Sequence, residues 1–144
     1  MSTIRSELVK ISKRSGGMLT PEKVVLFAEN PKTALHESFE WDDSIAGPAY
    51  RVVQAKQIIR AQVRIVGDGK PMEIRAWVSL STDREHGKGY RQVRAVLEDD
   101  EHCETLLEDA KRDYLSFRKK YQILTRVSSD IEKFFSAGDD AFDS

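Results

Sequence analysis

Apolar residues recur at helical spacing towards both ends of the chain and alternate only in its middle. Ile4, Leu8 and Ile11 share one face of a helix expected over about 2–14, which Ser15-Gly16-Gly17 ends. Thr20-Pro21-Glu22-Lys23 reads as a helix start. The threonine hydroxyl accepts a free backbone N–H, and proline in the first helical position lacks only a donor that has no partner there. The helix that follows carries Val24, Val25, Leu26, Phe27 and Ala28 and stops at Asn30-Pro31. A short helix over 32–39 comes next, then a longer one over 44–61 with Pro48 in its first turns. Its buried face is expected to hold Ile45, Tyr50, Val53 and Ile58, leaving Arg51, Gln54, Lys56, Gln57 and Arg60 outside.

Strand patterning occupies the middle. Val63-Arg64-Ile65-Val66 alternates, Gly67 to Pro71 turns, and Met72 to Leu80 alternates again. Met72, Ile74, Ala76, Val78 and Leu80 fall on one face; Glu73, Arg75, Trp77 and Ser79 fall on the other. Residues 81–89 are polar and read as a mobile loop. Tyr90 to Leu97 reads as a third strand with Val93, Ala95 and Leu97 inward.

Helical spacing then returns. Leu107, Ala110, Tyr114, Phe117, Tyr121 and Leu124, a weak step at Val127/Ser128, then Ile131 and Phe135 repeat every three or four positions. That is the seam of a helix packed along a partner, here an oligomerisation seam. Its aromatic residues suit an antiparallel pairing, or packing on the sheet, as well as a two-stranded coil. Acids at 98–101 favour the positive end of the helix dipole, and Gly138 is expected to break the helix. The pattern predicts an α+β protein of one domain. Its parts are a helix-turn-helix-like region over 1–61, a three-stranded antiparallel meander over 62–97, a long helix over 98–137 and an acidic tail over 138–144.

Composition adds less than distribution. The chain has 144 residues, 40% of them hydrophobic and 33% charged, which suits one core beneath a polar surface. A net charge of −1 gives no global basic bias of the kind many nucleic-acid binders carry. Locally, Arg51 to Arg94 holds ten bases and four acids, Glu98 to Asp109 seven acids and no base, and Lys111 to Arg126 six bases and one acid. Blocks of opposite sign suit self-association or a local binding face, or are simply solvated. A single cysteine, Cys103, excludes an intrachain disulfide, and no apolar run resembles a leader or a membrane span, so a cytoplasmic protein is expected.

Four constellations are candidates for chemistry. Helix, turn, helix and hairpin is the element order of a winged DNA-binding unit. In it Arg51, Gln54, Lys56, Gln57 and Arg60 would face a groove of double-stranded DNA, with Arg64 and the hairpin-tip Lys70 on phosphates. The opposing reading is an ordinary helical region whose polar face meets water, and the acids at 37–43 and 98–109 speak against a large phosphate-facing surface. Arg64, Arg75, Trp77, Tyr90 and Arg94 could share a sheet face that stacks single-stranded nucleic acid, although burial of Trp77 beneath another element suits it better. Catalytic or metal-ligating sets are weak. His36 and Glu40 lack a third ligand, His102-Cys103 lacks an orienting base, and Asp68 with Glu73-Ile74-Arg75 has arginine where a nuclease pattern needs lysine. No metal, cofactor or catalytic residue is therefore expected. In Glu40-Trp41-Asp42-Asp43-Ser44, Trp41 is either an exposed partner-binding knob or, more simply, a core residue beside a helix-capping aspartate.

The string Leu19-Thr20-Pro21-Glu22-Lys23-Val24-Val25, then Asn30-Pro31, Leu35-His36, Phe39-Glu40-Trp41-Asp42-Asp43-Ser44, Tyr50-Arg51 and Gln54-Ala55 resembles a group of small uncharacterised proteins of tailed bacteriophages and prophages. Val78-Ser79-Leu80-Ser81, Asp83-Arg84, Gly89-Tyr90-Arg91, Leu106-Leu107 and Lys120-Tyr121 are similar too. The resemblance implies a viral protein working in the host cytoplasm and brings no catalytic residues. Two functions follow as expectations. One is a non-enzymatic, dimeric, helix-turn-helix-type regulator or accessory of phage DNA metabolism. The other is an assembly module, an inhibitor or adaptor of a host or phage protein, with no nucleic-acid role.

Overall fold

The computed structural model describes residues 2–67 and 69–143 and divides into two compact units, residues 1–100 and 101–144. The fold is α+β. Helices open and close the chain, and two small antiparallel sheets lie in the first unit.

The first two helices form as their caps dictate. α1 (Ile4–Arg14) begins with a capping box in which Thr3 and Ser6 satisfy each other's backbone N–H groups. α2 (Pro21–Ala28) begins with Thr20 accepting from Lys23 N at 3.3 Å. Leu8, Ile11, Val24 and Ala28 from these helices meet Leu35, Phe39, Ala55, Ile59, Trp77 and Tyr90 in the core.

The expected helix over 32–39 shrinks to a 3-10 turn, Leu35–Ser38, whose start is satisfied by a side chain from α1. Glu7, almost wholly buried, accepts from the N–H groups of Ala34 (2.8 Å) and Leu35 (2.9 Å) and from the Ser2 hydroxyl (2.6 Å). Burial alone would raise its pKa. The Ser2, Ala34 and Leu35 bonds, with the charge of Lys10, more than offset that and hold it below the usual glutamate range.

α3 (Pro48–Ala61) starts four residues later than expected, with Pro48 in the first turn and Gly47 as its cap. Asp42 instead accepts from the N–H and hydroxyl of Ser44, closing a local turn, so neither it nor Asp43 caps this helix. The buried face of α3 also differs from expectation. Arg51, Ala55 and Ile59, at successive four-residue steps, turn inward, while Ile45, Tyr50 and Val53 are exposed. The Arg51 guanidinium donates to the carbonyls of Glu40 (2.9 Å) and Ala46 (3.3 Å), pairs with Asp43 and lies over the Trp41 ring. That ring stacks on His36 at 5.0 Å, and its Nε1 donates to the His36 carbonyl.

The meander is not a single three-stranded sheet. β1 (Val63–Val66) pairs with β2 (Met72–Arg75), and the ladder ends at Ala76. β3 (Trp77–Val78) then pairs with β4 (Arg91–Gln92). Residues 81–89 are not a loop throughout. α4 (Ser81–Glu85) is held by Asp83, which makes two bonds to Arg91, at 2.7 and 3.0 Å. Val93–Leu97 is a helical turn, α5, that buries Val96, while Ala95 and Leu97 are exposed. A bridge from Leu19 to Tyr90 brings two backbones so close that a Cβ on Gly89 would lie 2.0 Å from the Leu19 carbonyl oxygen.

In the second unit the long helix is interrupted. α6 (Asp100–Tyr121) ends in a 3-10 turn, Gln122–Arg126, and α7 (Ser129–Phe142) runs back along it, capped by Ser128. The weak step at Val127/Ser128 is therefore a hairpin corner, and the seam closes on itself. Tyr114 and Phe117 meet Phe135 edge to face. The Tyr114 hydroxyl lies 2.8 Å from both the Phe135 carbonyl oxygen and an Asp139 carboxylate oxygen, its one proton shared between them, and Arg118 makes two bonds to the same carboxylate. Gly138 does not break α7. It lies where the Tyr114 ring crosses, and a Cβ there would be 2.5 Å from that ring. Of the tail expected over 138–144, residues up to Phe142 are helical, and Ser144 lies outside the described residues.

The Glu7 bonds and the Tyr114–Gly138 crossing each yield a prediction. The folded pKa of Glu7 lies below its unfolded value, so its contribution is complete at neutral pH and vanishes as pH falls through the folded pKa. Glu7→Gln should cost about 1–3 kcal/mol at neutral pH. It should also flatten the acid limb of stability, read by urea denaturation at neutral pH and at about pH 4. Gly138→Ala, which in an open helix would gain up to about 1 kcal/mol, should instead lower the stability of the hairpin by about 1–3 kcal/mol. In a Tyr114→Ala background the same change should become stabilising, a reversal of sign that thermal melts followed by circular dichroism would reveal.

Candidate nucleic-acid interface

A groove of about 970 Å³ lies in the first unit between α1 and the strands. Its helical wall comes from residues a turn apart on α1, with Arg5, Lys10, Lys13 and Arg14 supplying the charge. The opposite wall carries Gln62, Arg64 and Ile65 at the start of the β1–β2 hairpin, and Ala76, Trp77 and Gln92 complete it. Five of its thirteen lining residues are cationic and none is acidic.

The absence of acid on these walls has a local cause. Glu7 is the only acidic residue between Ile4 and Arg14, and it is turned inward onto Ala34 and Leu35. Arg5 reaches across to the Val63 carbonyl at 3.4 Å, tying the helical wall to β1. Lys10, Lys13 and Arg14 are exposed, and Arg64 is half-buried. Gln92 adds an amide able to donate to phosphate oxygens, whereas the Gln62 amide donates to the Ile58 carbonyl at 3.3 Å. Trp77 is only 3% exposed, so it cannot serve as a stacking platform for bases.

The residues read from sequence as a DNA-facing set do not form one surface. Arg64 is in the groove, whereas Arg51 is committed to the loop carbonyls and Asp43. The Gln54 side chain accepts from Glu40 N at 3.3 Å. Lys56, Gln57 and Arg60 remain on the outer side of α3, and Lys70 is exposed at the hairpin tip. The element order expected of a winged unit is present, but residues 29–47 separate α2 from α3, far more chain than the usual three- or four-residue turn. The proposed sheet face is dispersed as well. Tyr90 is buried in the core, Arg94 pairs with Glu98, and Arg75, opposite Val63 in the ladder, does not line the groove, which leaves Arg64 and Trp77 together.

Sequence reading missed the α1 cations because it weighed charge over 51–94. The available signal is four bases to one acid within a helix whose apolar face the Ile4/Leu8/Ile11 spacing assigns.

The other candidate sets have structural roles or remain apart. His36 Nδ1 lies 2.7 Å from the Ala28 carbonyl, and Glu40 accepts from Asp42 N. Asp68, the first member of the nuclease-like pattern, lies outside the described residues. Among the described residues no group of three or more His, Cys, Asp or Glu side chains could hold a metal ion, and no helix is long and apolar enough to cross a membrane.

The seam residues divide. Phe135 is buried; Tyr114 and Ile131 are partly covered; Leu107, Ala110, Phe117, Tyr121 and Leu124 stay exposed.

Comparison of the chain with protein-family models, with curated proteins and with solved structures finds no match in any of the three.

Proposed function

We propose that this chain is a non-enzymatic DNA-associated protein that holds the phosphate backbone of a duplex in the groove between α1 and the β1–β2 hairpin. The observation that carries the proposal is a groove lined by five cations without a single acid, in a chain whose net charge is −1. In such a chain, random placement would scatter acids among the bases. Here the one acid of α1 is removed from the wall by burial. Backbone contact is favoured over base stacking because the groove's one large aromatic is covered. The resemblance to the phage and prophage group fits an accessory of phage DNA metabolism in the host cytoplasm. Nothing in this reading requires α3 to read bases.

Such an interface is electrostatic, so binding of a random duplex should weaken steeply with salt. The slope of log K against log salt becomes shallower by about 0.9 for each phosphate that is no longer neutralised. Fluorescence anisotropy with a labelled duplex at low and moderate salt should show Lys13→Glu with Arg14→Glu lowering affinity about tenfold or more and flattening the slope. Lys56→Glu with Arg60→Glu should leave both nearly unchanged. The reverse pattern would transfer the interface to α3. No binding at low salt by the unaltered protein would end the proposal.

A further inference from the structure

The cationic groove has a chemical counterpart in the same chain. Glu98 to Asp109 holds seven acids and no base. Not all seven are free: Glu98 pairs with Arg94, Asp109 pairs with Arg112, and Asp99 is engaged as well. Three of the others form a pattern. Glu101, Glu104 and Glu108 are exposed, and their three- and four-residue spacing sets them on one face over about 10 Å of α6. None of these three carboxylates makes an ion pair among the described residues. Helical spacing also turns them away from Tyr114 and Phe117, the residues of α6 whose rings meet α7. Lys111, one turn beyond Glu108, ends the acidic stretch.

The groove presents the opposite sign over a similar length. Lys13 and Arg14 lie one turn from Lys10, and all three are exposed on the helical wall. From Arg5 to Arg14 the cations of α1 extend over about 13 Å, with Arg64 on the facing wall. No acid lines the groove, so a row of carboxylates meets no like charge there. We propose that the acidic face of α6 from a second copy of this chain docks in the groove, so that self-association and duplex binding compete for the same cations. The chain supplies this ligand at the same concentration as the groove. A net charge of −1 lets two copies approach without strong mutual repulsion, and the local complementarity then selects the contact. The competition rests on the duplex reading above; the contact between copies does not.

Sedimentation velocity of the full chain at low and moderate salt tests the contact. The unaltered protein should associate at low salt and dissociate as salt rises. Lys13→Glu with Arg14→Glu should weaken the association tenfold or more, and so should Glu104→Lys with Glu108→Lys. Mixing these two variants should restore it, because the unaltered groove of one meets the unaltered acids of the other. Restoration on mixing also shows that both variants have folded. A monomer at every concentration in low salt would overturn the proposal. So would association indifferent to either reversal, or a mixture no larger than its separate components. A short random duplex in excess, carrying at most one copy each, should break the assembly into single bound copies; assemblies that persist on it would overturn the competition. If no duplex binds at all, the function proposed above fails, while mass and mixing still decide the contact between copies.

Discussion

The first unit is organised around one buried carboxylate. Glu7 sits in the first half of α1, a position where an acid ordinarily faces water, yet it accepts two backbone N–H groups from the start of the 3-10 turn at Leu35. Removing a charge from water is costly unless its lone pairs are filled, and here they are. The bond ties the first helix to the connection between α2 and α3, a stretch that has only one short 3-10 turn of regular structure. It also fixes which way α1 is turned. With Leu8, Ile11 and Glu7 inward, the remaining positions present Arg5, Lys10, Lys13 and Arg14 to the groove. One inward acid thus stabilises the fold and leaves the wall of the groove without an acid.

A second inward charge has the opposite sign and a comparable role. Arg51 lies on the core side of α3 because the loop over 40–46 offers it two carbonyls, a carboxylate and an aromatic face. Arginine suits this place, since its planar, forked head matches several acceptors at once. Asp83, paired in two bonds with Arg91, does the same for the segment between β3 and β4. Irregular segments in this unit are held by ions bonded to backbone and to each other as well as by core contacts of residues such as Leu35 and Phe39.

Those same ions explain what could be read from the sequence and what could not. The caps at Thr3 and Thr20 and the Ile4/Leu8/Ile11 stripe are local signals, and α1 and α2 follow them. For α3 the decisive residue is charged, and a rule that sends charge outward rotates the helix by about half a turn, exposing the wrong face. Alternation from Met72 to Leu80 is genuine, but hydrogen bonding passes from β1 to β4 at Ala76, and a period of two carries no record of which neighbour is paired. Val93 to Leu97 is too short to separate a strand from a helical turn, and the Arg94–Glu98 pair one turn apart was the one helical sign. The groove escaped because its walls come from segments some sixty residues apart, joined by contacts such as Arg5 with Val63. At the other end of the chain the three-four repeat was legible as a seam, but the fold-back at Ser128 gives half of that seam an internal partner.

The two tryptophans of the chain, Trp41 and Trp77, both belong to the first unit, whereas the second contains tyrosine and phenylalanine as its aromatic residues. Indole emission is therefore an intrinsic reporter of one half of the molecule only. Trp41 is stacked beneath a guanidinium, and Trp77 is among the residues that line the cationic groove, so both indoles report on the first unit. Unfolding of the C-terminal hairpin would remove helical ellipticity without unfolding any segment that carries an indole. The distribution of aromatic residues alone makes the two units spectroscopically separable in the intact chain, with no label attached.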